Sequence, residues 1–205
     1  MLRPSWLRWP WLLGAVLAYY LPWIVNPAAA LTFNAYDLAE WVSLPPSARG
    51  GSIPLLAPFL LRGVLGLLAL LFGLRAGQHT GWLRGLYAFL SLGLALTLMP
   101  PLDFFRGTFD DANYRQQFAL GLGTLIGLVI LAGLSRQRLP KPLLRRVEAG
   151  IAGLAMVSAL AGEILAQSVV RLFHISAPLG VGVVVFVACL GLAGLAALRG
   201  ANDIA

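Results

Sequence analysis

Six apolar runs set the pattern of the chain: about Trp9–Val25, Ile53–Leu74, Leu83–Met99, Phe118–Leu134, Val147–Val170 and Ile175–Leu198. Each is close to the ~20 residues a membrane-crossing helix needs. The pattern predicts an all-α, polytopic membrane helix bundle that occupies the whole chain as one integral membrane domain.

A different rhythm governs the polar stretch after the first run. From Asn34 to Leu44 it reads NAYDLAEWVSL and ends at Pro45-Pro46. Asn34 can cap a helix start, Asp37 suits its first turn, and the prolines stop it. Ala35, Leu38 and Val42 share one face, and Asp37, Glu40 and Ser43 point largely away. This predicts a short amphipathic helix on the outer membrane surface, with Tyr36 and Trp41 at headgroup depth. A lid over a cavity between the helices is the sharper alternative.

Basic residues orient the runs. Arg3, Arg8, Arg75, Arg84, Arg136, Arg138, Lys141, Arg145, Arg146 and Arg199 fall on one side, and Arg49, Arg106, Arg115 and Arg171 on the other. The positive-inside rule then places both termini in the cytoplasm, with the protein in the cytoplasmic (inner) membrane. The first run, followed by Ala28-Ala29-Ala30, has a rival reading as a cleaved secretory signal. Its Trp11, Tyr19, Tyr20 and Trp23 suit a retained interfacial anchor better.

Composition narrows the classes. Of 205 residues, 59% are hydrophobic and 11% charged, less than half the usual soluble share of about 25%. A net charge of +7 spread over the ends of apolar runs is a topology signal and not a nucleic-acid surface. One cysteine, Cys189, excludes an internal disulfide and a multi-cysteine metal site. Small residues mark helix contacts: Gly123 and Gly127 at GxxxG spacing in the fourth run, and a Gly/Ala-rich sixth run.

Two charges stand inside apolar runs, Arg62 and Glu163. Such a group needs a partner, a wet cavity or a neutral state. Arg62 shares a helical face with Pro58, Gly66, Ala69 and Gly73, opposite Leu60, Val64, Leu67 and Leu71. Glu163 shares one with Ala152, Ala155, Ala159 and Ala166, opposite Leu154, Val157, Ile164 and Leu165, with Gln167 one turn on. Small faces pack against protein and bulky faces meet lipid, so both charges should point into the bundle. Their matching depth predicts that they pair or share a polar cavity in its outer half. Arg62, Glu163 and Gln167 are the candidate ligand-binding residues, with Ser168 close by.

Other chemistry finds no support. His79 and His174 fall on opposite sides of the membrane, no HExxH or P-loop is present, and Ser91 in FLSLG lacks a GxSxG frame. Asp103, Asp110, Asp111 and Asn113 fit no EF-hand loop, and Asp111 or Asn113 reads more simply as a helix cap. No metal or cofactor is expected. Glu148-Ala149-Gly150 echoes the EAA loop of ABC importer permeases, but its glycine spacing is off by one and Ala166-Gln167 stands where that loop has Leu-Pro. The layout is similar to small substrate-binding membrane subunits of vitamin importers, in layout only.

The expected function is to bind or transport a small polar solute from the outer face, alone or as a transporter subunit. The alternative is a non-catalytic assembly subunit of a larger membrane complex, and an intramembrane enzyme comes third. The partners expected are the lipid bilayer, other membrane subunits and a small polar solute, with no nucleic acid.

Overall fold

The structure, a computed structural model, describes residues 9–26, 31–45, 55–136, 140–174 and 178–202. Among these, seven α-helices follow one another: α1 (Trp9–Tyr19), α2 (Ala35–Ser43), α3 (Leu56–Gln78), α4 (Gly81–Leu96), α5 (Ala112–Arg136), α6 (Lys141–Leu172) and α7 (Val181–Asn202). A two-stranded antiparallel hairpin, β1 (Ile24–Asn26) and β2 (Leu31–Phe33), precedes α2. A 3-10 turn, Leu102–Arg106, lies between α4 and α5.

Four of the helices, α3, α5, α6 and α7, are long and apolar enough to cross a membrane. The other two apolar helices are shorter. With 11 and 16 residues, α1 and α4 reach roughly 16 and 24 Å at about 1.5 Å per residue. The first apolar run is helical only to Tyr19. Pro22 has no N–H to donate and disfavours helical geometry at Leu21, so the chain leaves the helix and Ile24-Val25 become strand. The last run begins its helix at Val181, later than expected. Its first residues, 175–177, and residues 53–54 of the second run lie outside the described residues.

The centre of the bundle is α3, packed by α2, α4, α5 and α6. Val64, Leu65, Leu68, Leu71 and Phe72 have no accessible surface. The expected lipid face of this helix is thus corrected, because Val64 and Leu71 are covered by neighbouring helices. A helix apolar all round belongs in an interior. The fifth apolar run behaves as its pattern predicts: Ala152, Ala155, Ala159 and Ala166 of α6 are buried, and Leu154, Val157 and Ile164 are exposed.

Small residues let backbones touch where α7 begins. Gly180 N–H donates to the Trp23 carbonyl at 2.6 Å, and Gly182 N–H to the Pro22 carbonyl at 2.7 Å. A Cβ at Gly182 would lie 2.7 Å from the carbonyl oxygens of Leu21 and Pro22. The GxxxG pair divides its roles: Gly127 receives Leu70, and Gly123 meets no atom within 4 Å. One end of the bundle, the cap end, therefore gathers the hairpin, α2 and the start of α7.

A buried ion pair locks the opposite, base end. Arg75 near the end of α3 donates to Glu148 near the start of α6, and both are almost fully buried. Beside it the His79 and Tyr87 rings lie 5.1 Å apart. Burial first, and the Arg75 cation second, hold the His79 imidazole below its ordinary value.

Two outcomes follow for stability in detergent, read by thermal unfolding. Gly182→Ala lowers the midpoint, whereas Gly123→Ala leaves it unchanged. Arg75→Met strands a buried carboxylate and costs about 3–5 kcal/mol, and the double variant Arg75→Met/Glu148→Leu recovers most of that loss.

Candidate functional site

Amphipathic α2 forms where the sequence places it. Asn34 Oδ1 accepts from the Asp37 N–H at 2.9 Å, and Asn34 Nδ2 donates to Asp37 Oδ2 at 2.7 Å. Its apolar face, Ala35, Leu38, Ala39 and Val42, is buried against α3 and α6. Asp37 is exposed, as expected, but Glu40 and Ser43 do not point away. Ser43 is fully buried and donates to the Glu40 carbonyl at 2.7 Å. The Glu40 carboxylate turns down onto the bundle.

It turns toward Arg62. One guanidinium nitrogen, Nη2, lies 2.7 Å from Glu40 Oε1, and Nη1 donates to Asn113 Oδ1 at 2.5 Å. Gln117 Nε2 donates to the same Glu40 oxygen at 2.9 Å. The group joins α2, α3 and the head of α5 through side chains that are mostly buried. Asp111 sets that helix head: its Oδ1 accepts from the N–H groups of Asn113 and Tyr114 at 2.8 and 3.2 Å, the capping role the sequence suggests. Asn113 and Gln117 are one turn apart, so one face of α5 carries both amides.

The expected pairing of Arg62 with Glu163 is therefore corrected. Both residues point inward and are nearly inaccessible, at 1% and 2%. Their heights also match, since a Cβ at Gly162 would lie 3.1 Å from the Leu61 backbone nitrogen. The guanidinium is nevertheless taken by α2. The helix begins at Leu56, so Arg62 sits only about 9 Å below its start at 1.5 Å per residue, within reach of a cap side chain.

Glu163 keeps different company. Its Oε1 accepts from Gln167 Nε2 at 3.1 Å, and Gln167 Oε1 lies 3.5 Å from Arg171 Nη2 at the exposed end of α6. Its Oε2 is buried without a hydrogen-bond partner. Ser168 turns to the Leu165 carbonyl of its own helix at 2.6 Å and takes no part. The structure thus brings Glu163 and Gln167 together and assigns Arg62 to a separate cluster. Above Leu61, Tyr19 donates its hydroxyl to the Leu61 carbonyl at 3.0 Å and packs against Trp23 and Phe186.

The residues that sequence reasoning missed are Glu40, Asn113 and Gln117. Their signal was weak but present: a buried arginine requires an acid, and Glu40 borders the apolar face of a helix at the same membrane side.

A groove of about 530 Å³ runs along a neighbouring face of α3, between α5 and α6. Gly63, Gly66 and Gly123 line it with Leu67 and Leu154, and its polar side chains are Thr124 and Ser158. It does not reach Arg62 or Glu163.

No protein family, curated protein or solved structure matches this chain.

Arg62→Met should destabilise the protein, by less than the about 3–5 kcal/mol of a fully buried pair, because the Glu40 carboxylate that loses its counter-charge is 34% exposed. Arg62→Met/Glu40→Met should lose clearly less. A double-variant loss equal to the sum of the two single-variant losses, read by thermal unfolding, would show that the two side chains do not interact.

Proposed function

We propose that the protein binds or passes a small polar solute from its cap end, through a site built on Glu163 and Gln167. One observation carries this reading. Four acidic or basic side chains (Asp, Glu, Lys or Arg) are almost fully buried among the described residues: Arg62, Arg75, Glu148 and Glu163. Three of them stand in ion pairs, and Glu163 stands in none. A lone charged group inside a membrane segment is costly, and such groups mark ligand or ion pathways. Arg62 serves this site as scaffold, holding α2 over the cap end.

In this reading the chain is a six-pass protein of the inner membrane. The short helices α1 and α4 cross with the four long ones, and the cap faces outward with both termini in the cytoplasm. The distribution of arginines supports that orientation. The 34–44 segment then acts as a cover over the outer ends of α3 and α6. The protein acts alone or as the membrane subunit of a transporter.

A second reading, a non-catalytic subunit of a larger membrane complex, is favoured by the groove beside α3. A Cβ added at Gly63 or Gly123 there would meet no neighbouring segment within 4 Å, the kind of bare surface on which a further helix packs closely.

Native mass spectrometry of the gently solubilised protein separates the two. A retained small molecule that is lost in Glu163→Gln, with the fold intact, supports solute binding. Retained protein partners that are lost on Gly123→Leu, with no small molecule in either sample, support the assembly role instead.

A further inference from the structure

We propose that Glu163 is a reversible proton-binding site. The inference rests on the reading of Glu163 as the functional carboxyl and names what it takes up.

The oxygen atoms around Glu163 decide between occupants. A metal cation in place of a counter-charge needs several oxygen ligands converging on it. The structure turns them elsewhere. Gln167 presents its amide nitrogen to Glu163 and its oxygen toward Arg171. Ser168 gives its hydroxyl to the Leu165 carbonyl, and Tyr19 gives its own to the Leu61 carbonyl. The neighbouring α6 positions on this face are Ala159, Gly162 and Ala166, which offer no side-chain oxygen. A proton needs none of these ligands. It adds to Oε2, the oxygen that has no partner, and leaves the Gln167 bond to Oε1 in place.

The charged and titratable groups on the packed elements leave this assignment standing. On α3, Arg62 is engaged by Glu40 and Asn113. On α2, Glu40 is that partner, Asp37 is exposed and bonded to Asn34, and Tyr36 is half-buried with Glu40 and Arg62 as its charged neighbours. On α1, Tyr19 is committed to Leu61 and Tyr20 lies at the cap. On α7, Cys189 packs toward Gly14 of α1, and Arg199 lies near the far end of its helix. On α6 itself, Arg171 is two turns from Glu163 and meets it only through Gln167. Glu163, Gln167 and Arg171 recur every fourth residue, so they form a file along one helix face from an exposed cation to the buried acid. The step is simple addition of H⁺ to a carboxylate, and its reverse.

The test is pH-difference infrared spectroscopy of the purified full chain in lipid nanodiscs, with a glass-electrode count of protons taken up. The wild type should show a protonated-carboxyl C=O band that appears and disappears with pH and accounts for one proton per chain. Glu163→Gln, which keeps side-chain shape, should abolish that band and that proton. Gln167→Leu should keep the band and change its frequency, because the bond to Oε1 is gone. A spectrum in which no titrating carboxyl band is lost in Glu163→Gln would overturn the proposal. So would displacement of the proton by sodium or potassium at constant pH, which would make the site a metal-cation site. Should the band titrate as expected while native mass spectrometry finds no retained solute, the proton site stands and the solute reading fails.

Discussion

A guanidinium placed below the start of α3 must be satisfied by protein. In a water-free interior an unpaired charge is far more expensive than any single packing gain. Arg62 therefore imposes conditions on three other segments. The Glu40 carboxylate has to come down from α2, and the amides of Asn113 and Gln117 have to face inward from α5. Once those conditions are met, α2 is tied to the bundle. It becomes the cover of the bundle, its ring Trp41 set against Phe33 and Phe173.

The same helix carries a second buried arginine at the base. Arg62 and Arg75 are thirteen residues apart, or roughly 20 Å along the axis and about 140° around it at 1.5 Å and 100° per residue. Their partners consequently lie on different neighbours, α2 for one and α6 for the other. Two ionic ties of this kind fix both the height and the rotation of α3. Glycine and alanine contacts then close the remaining gaps, as where Gly162 admits Leu61 and Gly127 admits Leu70. In lipid, where apolar surfaces gain little by leaving the solvent, such ties and close approaches supply the specificity.

How much of this was legible in the sequence depends on the kind of signal. Helical character and the inward faces of Arg62 and Glu163 follow from local periodicity, and both hold. The cap residue Asn34 and the helix-starting Asp111 follow from side-chain chemistry, and they hold as well. The partner of Arg62 was not legible, because it depends on which of several acids the tertiary fold brings near. The helix starts at Leu56 and not at Ile53, so Arg62 lies nearer the cap end than the pattern implied, where Glu40 reaches it. The lipid face assigned to Val64 and Leu71 failed for a related reason. A central helix is apolar on every side, so its periodicity carries no direction.

That ordering bears on Glu163. The fold has solved the problem of a buried charge twice, each time with a counter-ion on a neighbouring helix, so an unanswered carboxyl is not a shortage of means. Arg171 stands on the same helix face, and a side chain that long can fold along the apolar surface toward an acid below it. Instead Gln167 occupies the intervening turn, donating its amide N–H to Glu163 and accepting from Arg171. A group meant only to hold the bundle together would do better as leucine, since apolar replacement of buried ionic groups is often neutral or stabilising. An acid kept in that position, bonded on one oxygen and open on the other, is arranged to change its charge.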